Sequence, residues 1–566
     1  MRLLFSFLIA LLLISCQSAP KGELADIIYT NGQIITMEAA DEMVSSVAVK
    51  DGNILAISTE SLVAKHKGDS TKVIDLEGKT LLPGFVDAHS HISLGMSVVS
   101  IADLSSPPVG DIQNISDIVK KLKTYQEKNN IPKGEWLSGW GYDPDLLAEK
   151  RHPNKLDLDE AFPDHPVFLA HTSGHMAVIN SRALAKVGID ATTPDPHGGK
   201  IVRLPDSDEP SGLVQETAVY EVRKALPTPT PEQAMVLLES IQNLYASHGI
   251  TTAQDGFTDY KSFQFLKQAA QAGKLKMDIE VLAGFLDLEA YFKNHFTEFG
   301  KSENRLRLTG VKVVSDGSPQ GKTAYFSKPY LTKVPGCAHD CKGFPNLTAA
   351  QLGGIMKKCY EAGIQLYTHA NGDGAIDLFL ETHQSVLDSM KQVPEDMRNV
   401  VIHSQFVRPD QLELYQKHKI IPAYFTNHAF FWGDTHLRNL GEERAFFLSP
   451  MKTSMEMGIV CTNHTDFPVT PVDQLFLLGT AVNRIARSGT VIGEDQRLTP
   501  YEGLKAITIN AAYQHKQEHL KGSIKVGKLA DFVILADNPL SVAADKIKDI
   551  LVLETIKEGE TIYKRG

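Results

Sequence analysis

Cysteine is scarce in this chain, with five in 566 residues, too few for a fold stapled by disulfides. Excess positive charge is missing as well. Lys and Arg total 57 against 68 Asp and Glu, for a net charge of −11. With no basic stripe either, a nucleic-acid partner is excluded. The apolar run at the start, Leu3 to Ile14, is too short to span a bilayer. No Gly-rich nucleotide fingerprint follows any strand-like segment. What remains is globular: 42% apolar and 22% charged residues. The length exceeds that of a single barrel of roughly 250 residues.

The N-terminus has a targeting composition. Arg2 supplies a positive charge, and Leu3 to Ile14 fit a secretory apolar region. Leu13-Ile14-Ser15-Cys16 resembles a bacterial lipobox, whose cleavage would leave Cys16 as a lipidated first residue. The alternative is a plain signal peptide with an incidental cysteine. Residues 1–16 are therefore expected to be a lipoprotein signal, with Gln17 to Glu23 as a tether. The mature protein would lie outside the cytoplasm, in the periplasm or at the cell surface, anchored to the membrane by lipid. Of the other cysteines, Cys337 and Cys341 share one loop and are expected as a disulfide or free thiols rather than a metal site.

Strand signals cluster at both ends. Ala25 to Thr30, a turn at Asn31-Gly32, and Gln33 to Thr36 predict a hairpin. Val47 to Val49 and Asn53 to Ile57 flank a turn at Asp51-Gly52, and Ala530 to Leu535 and Ile550 to Ile556 have the same character. Chain ends commonly lie close together, so residues 17–80 and 516–566 are expected to form one small β-sandwich. The middle, 81–515, alternates strands and amphipathic helices, which predicts a parallel sheet closed into a (β/α)₈ TIM barrel. Helix starts are marked by Thr230-Pro231 and by the capping box Thr348/Gln351. Val311 to Val314, Ile364 to Thr368, Val400 to Ile402, Ile420 to Tyr424 and Gly458 to Cys461 read as barrel strands. Residues from about 100 to 230 break the repeat. They are expected as an inserted subdomain between the first two barrel strands.

Leu81 to His91 reads as a strand ending in His89-Ser90-His91. Side chains two apart on a strand face the same way, so two imidazoles would converge on one ion. His369 and His403 end two further strands, and Asp466 lies just past another. Ligand-type residues gathered at the carboxyl ends of barrel strands occupy the rim where such barrels build active sites.

These motifs, in order, resemble the amidohydrolase superfamily, in its type-3, N-substituted formamide deformylase-like branch. The resemblance runs from Pro83 through His91, Ser173-Gly174-His175, Asn180 to Leu184, Asp316-Gly317-Ser318, His369 to Asp373, His403-Ser404-Gln405 and Thr465 to Val469 to Gly522 through Val533. It implies a divalent metal, Zn²⁺ in the first instance, as one or two ions. The implied ligands are His89, His91, Lys312, His369, His403 and Asp466. Lys312 matches the lysine that many members carboxylate with CO₂; the alternative is a lysine paired with a nearby carboxylate. The implied reaction is hydrolysis of an amide-type, non-peptide C–N bond of a small molecule by metal-activated water. Asp466 would serve as general base and then acid, and His403 or His175 would hold the carbonyl oxygen. His175 reaches the site only if the insertion folds over the barrel mouth. Lys322 stands where relatives often carry arginine. Trp140, Tyr142 and Asp143 are read equally as pocket lining or as packing. Two other readings stand beside the first: an ester or lactone hydrolase or an isomerase on the same fold, and a metal-binding surface lipoprotein without catalysis.

Overall fold

A computed structural model describes residues 23–40, 43–334, 337–392 and 394–566. The signal segment and the tether up to residue 22 lie outside the described residues.

Both chain ends build a two-sheet sandwich. One sheet has the order Asn53–Ser58, Ser46–Lys50, Ile27–Thr30, Lys72–Asp75. The other has the order Glu560–Lys564, Val552–Lys557, Phe532–Leu535, Thr80–Pro83, Gln33–Ile35, Met43–Val44, and so mixes the two termini. Tyr29, Val47 and Val49 from the first sheet pack against Ile34, Leu81 and Phe532 from the second.

The hairpin predicted at Asn31-Gly32 does not form. Ile27–Thr30 and Gln33–Ile35 lie in different sheets. A tight I′ turn needs positive φ at both central residues. Only Asn31 has it, at φ 56°. The segment instead carries the chain across the sandwich, with Gly32 pressed on Leu76 so closely that an added Cβ would lie 2.4 Å from Leu76 Cδ1. The turn at Asp51-Gly52 does have positive φ at both residues, 47° and 74°, and there Lys50 pairs with Asn53.

Eight parallel strands form the barrel: β1 (Phe85–Val86), β2 (Ile250–Thr258), β3 (Asp278–Gly284), β4 (Leu306–Val314), β5 (Gln365–Ala370), β6 (Val400–His403), β7 (Ile421–Tyr424) and β8 (Thr462–Asn463). Neighbours pair in that order from β1 to β8. Past the strand ends, β8 and β1 are joined by a seam. Asp466 N–H donates to the His89 carbonyl at 3.0 Å, His91 N–H to the Phe467 carbonyl at 2.9 Å, and Thr465 donates to the Asp87 carboxylate from both backbone and hydroxyl.

Two strand predictions are corrected here. Leu81 to His91 is not one strand: Thr80–Pro83 belongs to the sandwich, and Gly84 breaks the run. An added Cβ at Gly84 would lie 2.3 Å from Thr251, so the close approach of the two domains fixes the break. Gly458 to Cys461 is turn and loop, and β8 begins at Thr462. Gly458 takes φ 75° after the preceding helix, and this positive φ ends that helix rather than starting a strand.

The segment between β1 and β2 holds the helix α1 (Ile92–Val98) and then a six-stranded mixed sheet, in the order Gly199–Arg203, Pro210–Glu216, Met176–Ile179, Val167–His171, Leu137–Tyr142, Ala102–Asp103. Helix α2 (Thr217–Arg223) leaves this sheet, and helix α3 (Pro231–Ser247) leads into β2. Thr230 and Gln233 form a capping box on α3, and Thr348 and Gln351 form one on α4 (Ala349–Glu361). Each cap satisfies N–H groups that the helix itself leaves unpaired, worth ~1 kcal/mol.

Candidate active site

Strand register places the donors at one rim. Val314 pairs with His369 and Ala370 with His403, so β4, β5 and β6 end level. Lys312 sits two residues below the end of β4. His89 and His91 lie in the loop after β1 rather than on a strand, and the seam carries them to the residues that follow β8. The result is the convergence the His-x-His spacing predicts, reached by loop geometry instead of strand alternation.

The Asp466 carboxylate is the centre. Its Oδ1 lies 3.2 Å from His91 Nε2 and 3.5 Å from His89 Nε2, and its Oδ2 lies 4.0 Å from His403 Nε2. Lys312 Nζ is 2.9 Å from His89 Nε2. His369 stands one step further off, with Nδ1 3.1 Å from His403 Nε2. Its Nε2 faces Asn371 Nδ2 at 3.0 Å and Asp316 Oδ1 at 3.5 Å. The donors thus form two adjoining groups: His89, His91 and Asp466 in one, His369 and His403 in the other, with Lys312 beside them.

The electrostatics suit a cation. Burial holds His89, His369 and His403 well below the usual histidine range, so their rings are neutral and keep a lone pair. His89 Nδ1 donates to Gln254 Oε1 at 2.6 Å. That fixes the tautomer and leaves Nε2 to bind. Burial lowers the Lys312 ammonium to about 7, so a neutral amine is accessible near neutral pH. Asp466 Oδ1 is buried and accepts from no donor among the described residues. A carboxylate oxygen left so is costly unless a cation meets it. Among the described residues, donor atoms of His89, His403 and Asp466 lie within 4.8 Å of one another. The residues present therefore fit a divalent ion.

Backbone strain marks the same place. His403, Ser404 and Asp466 have φ of 72°, 41° and 52°, a region that costs non-glycine residues energy and that clusters at functional sites.

His175 is brought to the mouth by the insertion. It follows the turn between Val167–His171 and Met176–Ile179, and its ring centroid lies 5.0 Å from that of His369. Its Nδ1 donates to Glu216 Oε2 at 2.8 Å. Burial alone would lower the His175 pKa, but the Glu216 charge and hydrogen bond outweigh it and raise it above the ordinary value.

Several residues without a role in the sequence reading complete the centre. His464 Nε2 lies 3.1 Å from His403 Nδ1 and orients that ring; its signal was a histidine two residues before Asp466. Gln254 lies in a strand already rich in polar residues, Ile250–Thr258, and so carried no signal of its own. Asp316 accepts from the backbone N–H of Asn371, Gly372 and Tyr325, yet burial raises it to about 7. Glu216 had no local signal, being 41 residues from His175. It has φ 52° and ψ −122°, and its Oε1 is buried without a partner among the described residues.

Trp140, Tyr142 and Asp143 are buried and hydrogen-bonded. Trp140 Nε1 donates to the Pro468 carbonyl at 3.2 Å, Tyr142 OH meets His152 Nδ1 at 3.0 Å, and Asp143 accepts from Trp432 Nε1 at 2.8 Å. Lys322 is half-buried and donates to the Lys333 carbonyl at 2.7 Å. Cys337 and Cys341 form a disulfide.

The sequence pattern of the amidohydrolase family matches residues 72–563. N-substituted formamide deformylase of Arthrobacter pascens is 27% identical over 557 residues, 96% of this chain and 99% of that protein. Protein LONG AFTER FAR-RED 3 of Arabidopsis thaliana is 29% identical over 563 residues, 96% of this chain and 92% of that protein. An uncharacterized metal-dependent hydrolase from Pyrococcus horikoshii has the same fold, with a TM-score of 0.72 at 24% identity, covering 92% of this chain and 99% of that one. The chain belongs to the amidohydrolase family. It is a metal-dependent hydrolase of that family, and the reading as a lipoprotein without catalysis is set aside.

Proposed function

We propose that the protein hydrolyses an amide-type, non-peptide C–N bond of a small molecule at a centre of one or two divalent ions, Zn²⁺ in the first instance. The observation that carries this is the Asp466 carboxylate, with one oxygen buried against two histidine Nε2 atoms and accepting no hydrogen bond among the described residues. The name of the Arthrobacter relative supports a C–N bond as the target.

His89, His91 and Asp466 would hold one ion; His369 and His403 would hold a second. A carboxylated Lys312 would lie beside both groups, and its depressed pKa supplies the neutral amine that CO₂ requires. When bound, the ion supplies Lewis acidity that makes water a nucleophile near neutral pH and polarises the carbonyl. Asp466 Oδ2 takes a proton from the attacking water and returns it to the leaving nitrogen. His175, held by Glu216, donates to the carbonyl oxygen as charge builds there. Burial of the surrounding groups excludes bulk water and strengthens each of these interactions.

The place of action we assign to the outside of the cytoplasm, with lipid on Cys16 as the anchor. No helix among the described residues is long and apolar enough to cross a membrane. A disulfide on an exposed loop suits an oxidising compartment.

The test is elemental analysis of the purified protein together with turnover of matched amide and ester panels. Bound metal and amide cleavage that Asp466→Asn lowers by ~10²- to 10⁴-fold support the proposal. Metal-free protein that is fully active, or esters and lactones cleaved while no amide is, overturns it.

A further inference from the structure

Helix α2 begins directly after Glu216 and ends at Arg223. Positions 220 and 223 are three residues apart, the spacing that places side chains on one helix side, and Glu216 stands just ahead of the first turn. Their contacts all border the metal centre. Glu216 holds His175. The Tyr220 ring stacks on Phe257, with centroids 6.2 Å apart and planes at 21°. Phe257 follows Gly256, which packs against the His89 ring. Arg223 Nη2 donates to the carbonyl of Gly174, the residue before His175, at 3.3 Å.

Arg223 is half-buried, and no carboxylate pairs with it among the described residues. Arg307, Arg408 and Arg484 differ. Arg307 reaches Glu280 at 3.2 Å, and Arg408 reaches Asp377 at 2.8 Å. Arg484, fully buried, donates to the carbonyls of Ile492, Leu448 and Ser449. A guanidinium is a five-donor fork suited to a carboxylate. That of Arg223 is committed through one weak bond, and withholding a partner from a partly desolvated cation is unfavourable. Tyr220, one turn before Arg223, opens a row of half-buried aromatic rings that runs on through Phe257 to Phe285, whose ring lies 6.0 Å from that of Phe257. A cation next to an aromatic wall at the mouth of a hydrolytic centre defines a ligand with an anionic group and an apolar group.

We infer that Arg223 anchors a carboxylate of the substrate, so that the compound cleaved is an N-acylated small molecule bearing a free carboxylate and an apolar substituent. An N-acyl amino acid with a large side chain is the simplest member of that class. This inference rests on the C–N hydrolysis proposed above and narrows it.

The experiment uses the metal-loaded protein and matched pairs differing only in the carboxylate, such as N-acetylphenylalanine and N-acetylphenethylamine, each also as N-formyl compounds. The expected result is a kcat/KM ~10- to 100-fold higher for the acid, the range for a charge-assisted pair. In Arg223→Met that preference falls to about unity, mainly through a higher KM for the acid. Arg223→Lys recovers part of the preference, and thermal melts establish that both variants are folded. A wild-type protein that cleaves the neutral amide as well as the acid overturns the inference, as does Arg223→Met with its preference intact. If neither amide is cleaved, the C–N reading fails, and the same comparison on the matched pair of acyl esters decides the role of Arg223 alone.

Discussion

Gly256 is the position where one added carbon tests the whole centre. It follows the Gln254 and Asp255 positions of β2, and its Cα rests against the ring of His89. A Cβ there would stand 2.2 Å from His89 Cε1 and 2.7 Å from His89 Nδ1. Ordinary contact needs ~3.5 Å, so the ring must retreat by ~1 Å. It cannot do so freely. Nδ1 is held at 2.6 Å by Gln254, and the ring is fully buried. Gly256 N–H is itself bonded to the Ser90 carbonyl at 2.8 Å, which pins the backbone of both segments. Overpacking of this kind costs ~1–3 kcal/mol of stability. A 1 Å displacement at a catalytic centre costs on the order of 10²-fold in rate, or ~2.7 kcal/mol of transition-state stabilisation. Gly256→Ala is therefore expected to lose ~10²-fold in kcat/KM and to surrender its ion to a weaker chelator, while remaining folded. Chelator competition, steady-state kinetics and a thermal melt measure the three effects. An alanine variant with wild-type metal affinity and a rate within ~3-fold would refute the assignment of His89 as a ligand held by that wall.

Glu216→Gln removes the charge that raises His175. Because the folded-state pKa lies above the ordinary histidine value, the pair stabilises the fold fully below that value and less as pH rises through the shifted one. Melts across pH 5 to 9 should show the deficit of the variant at its largest at the acid end; a deficit that grows with pH would refute the pairing. Thr348→Ala breaks the capping box of α4, remote from the centre, and should lower stability by ~1 kcal/mol in urea titration with kcat/KM unchanged. Removal of metal by a strong chelator should abolish turnover and lower Tm, since a ligand bound by the folded state alone stabilises that state. Readdition of Zn²⁺ should restore both.

The donors of the centre were legible because they are chemical outliers in apolar strands. His403 and Lys312 stand among valine and isoleucine, His369 closes the strand Leu366-Tyr367-Thr368, and few structural roles account for such residues at strand ends. The alternation of strands with capped helices gave the barrel for a related reason, since the 3.6-residue stripe of α4 and its Thr348/Gln351 box are local features. What stayed hidden depends on distant chain. Glu216 meets His175 only because the inserted sheet pairs Met176–Ile179 with Pro210–Glu216, and no local pattern encodes that register. The split at Gly84 is of the same type. The run from Leu81 to Val86 is apolar throughout, and it divides because one half is claimed by the sandwich and the other by the barrel. Asn31-Gly32 misled because the dipeptide suits a hairpin, while burial of the strands in two facing sheets forced a crossing.

The seam between β8 and β1 links residues 377 positions apart, from His89 to Asp466, through backbone hydrogen bonds. Those same two residues are donors of the metal centre. Ion capture is thus tied to ring closure, and a polypeptide still emerging at residue 400 owns four of the six ligands but not the Asp466 around which they gather. An ion held by both His89 and Asp466 therefore requires the chain to be made at least as far as Asp466 and β8 to have closed on β1.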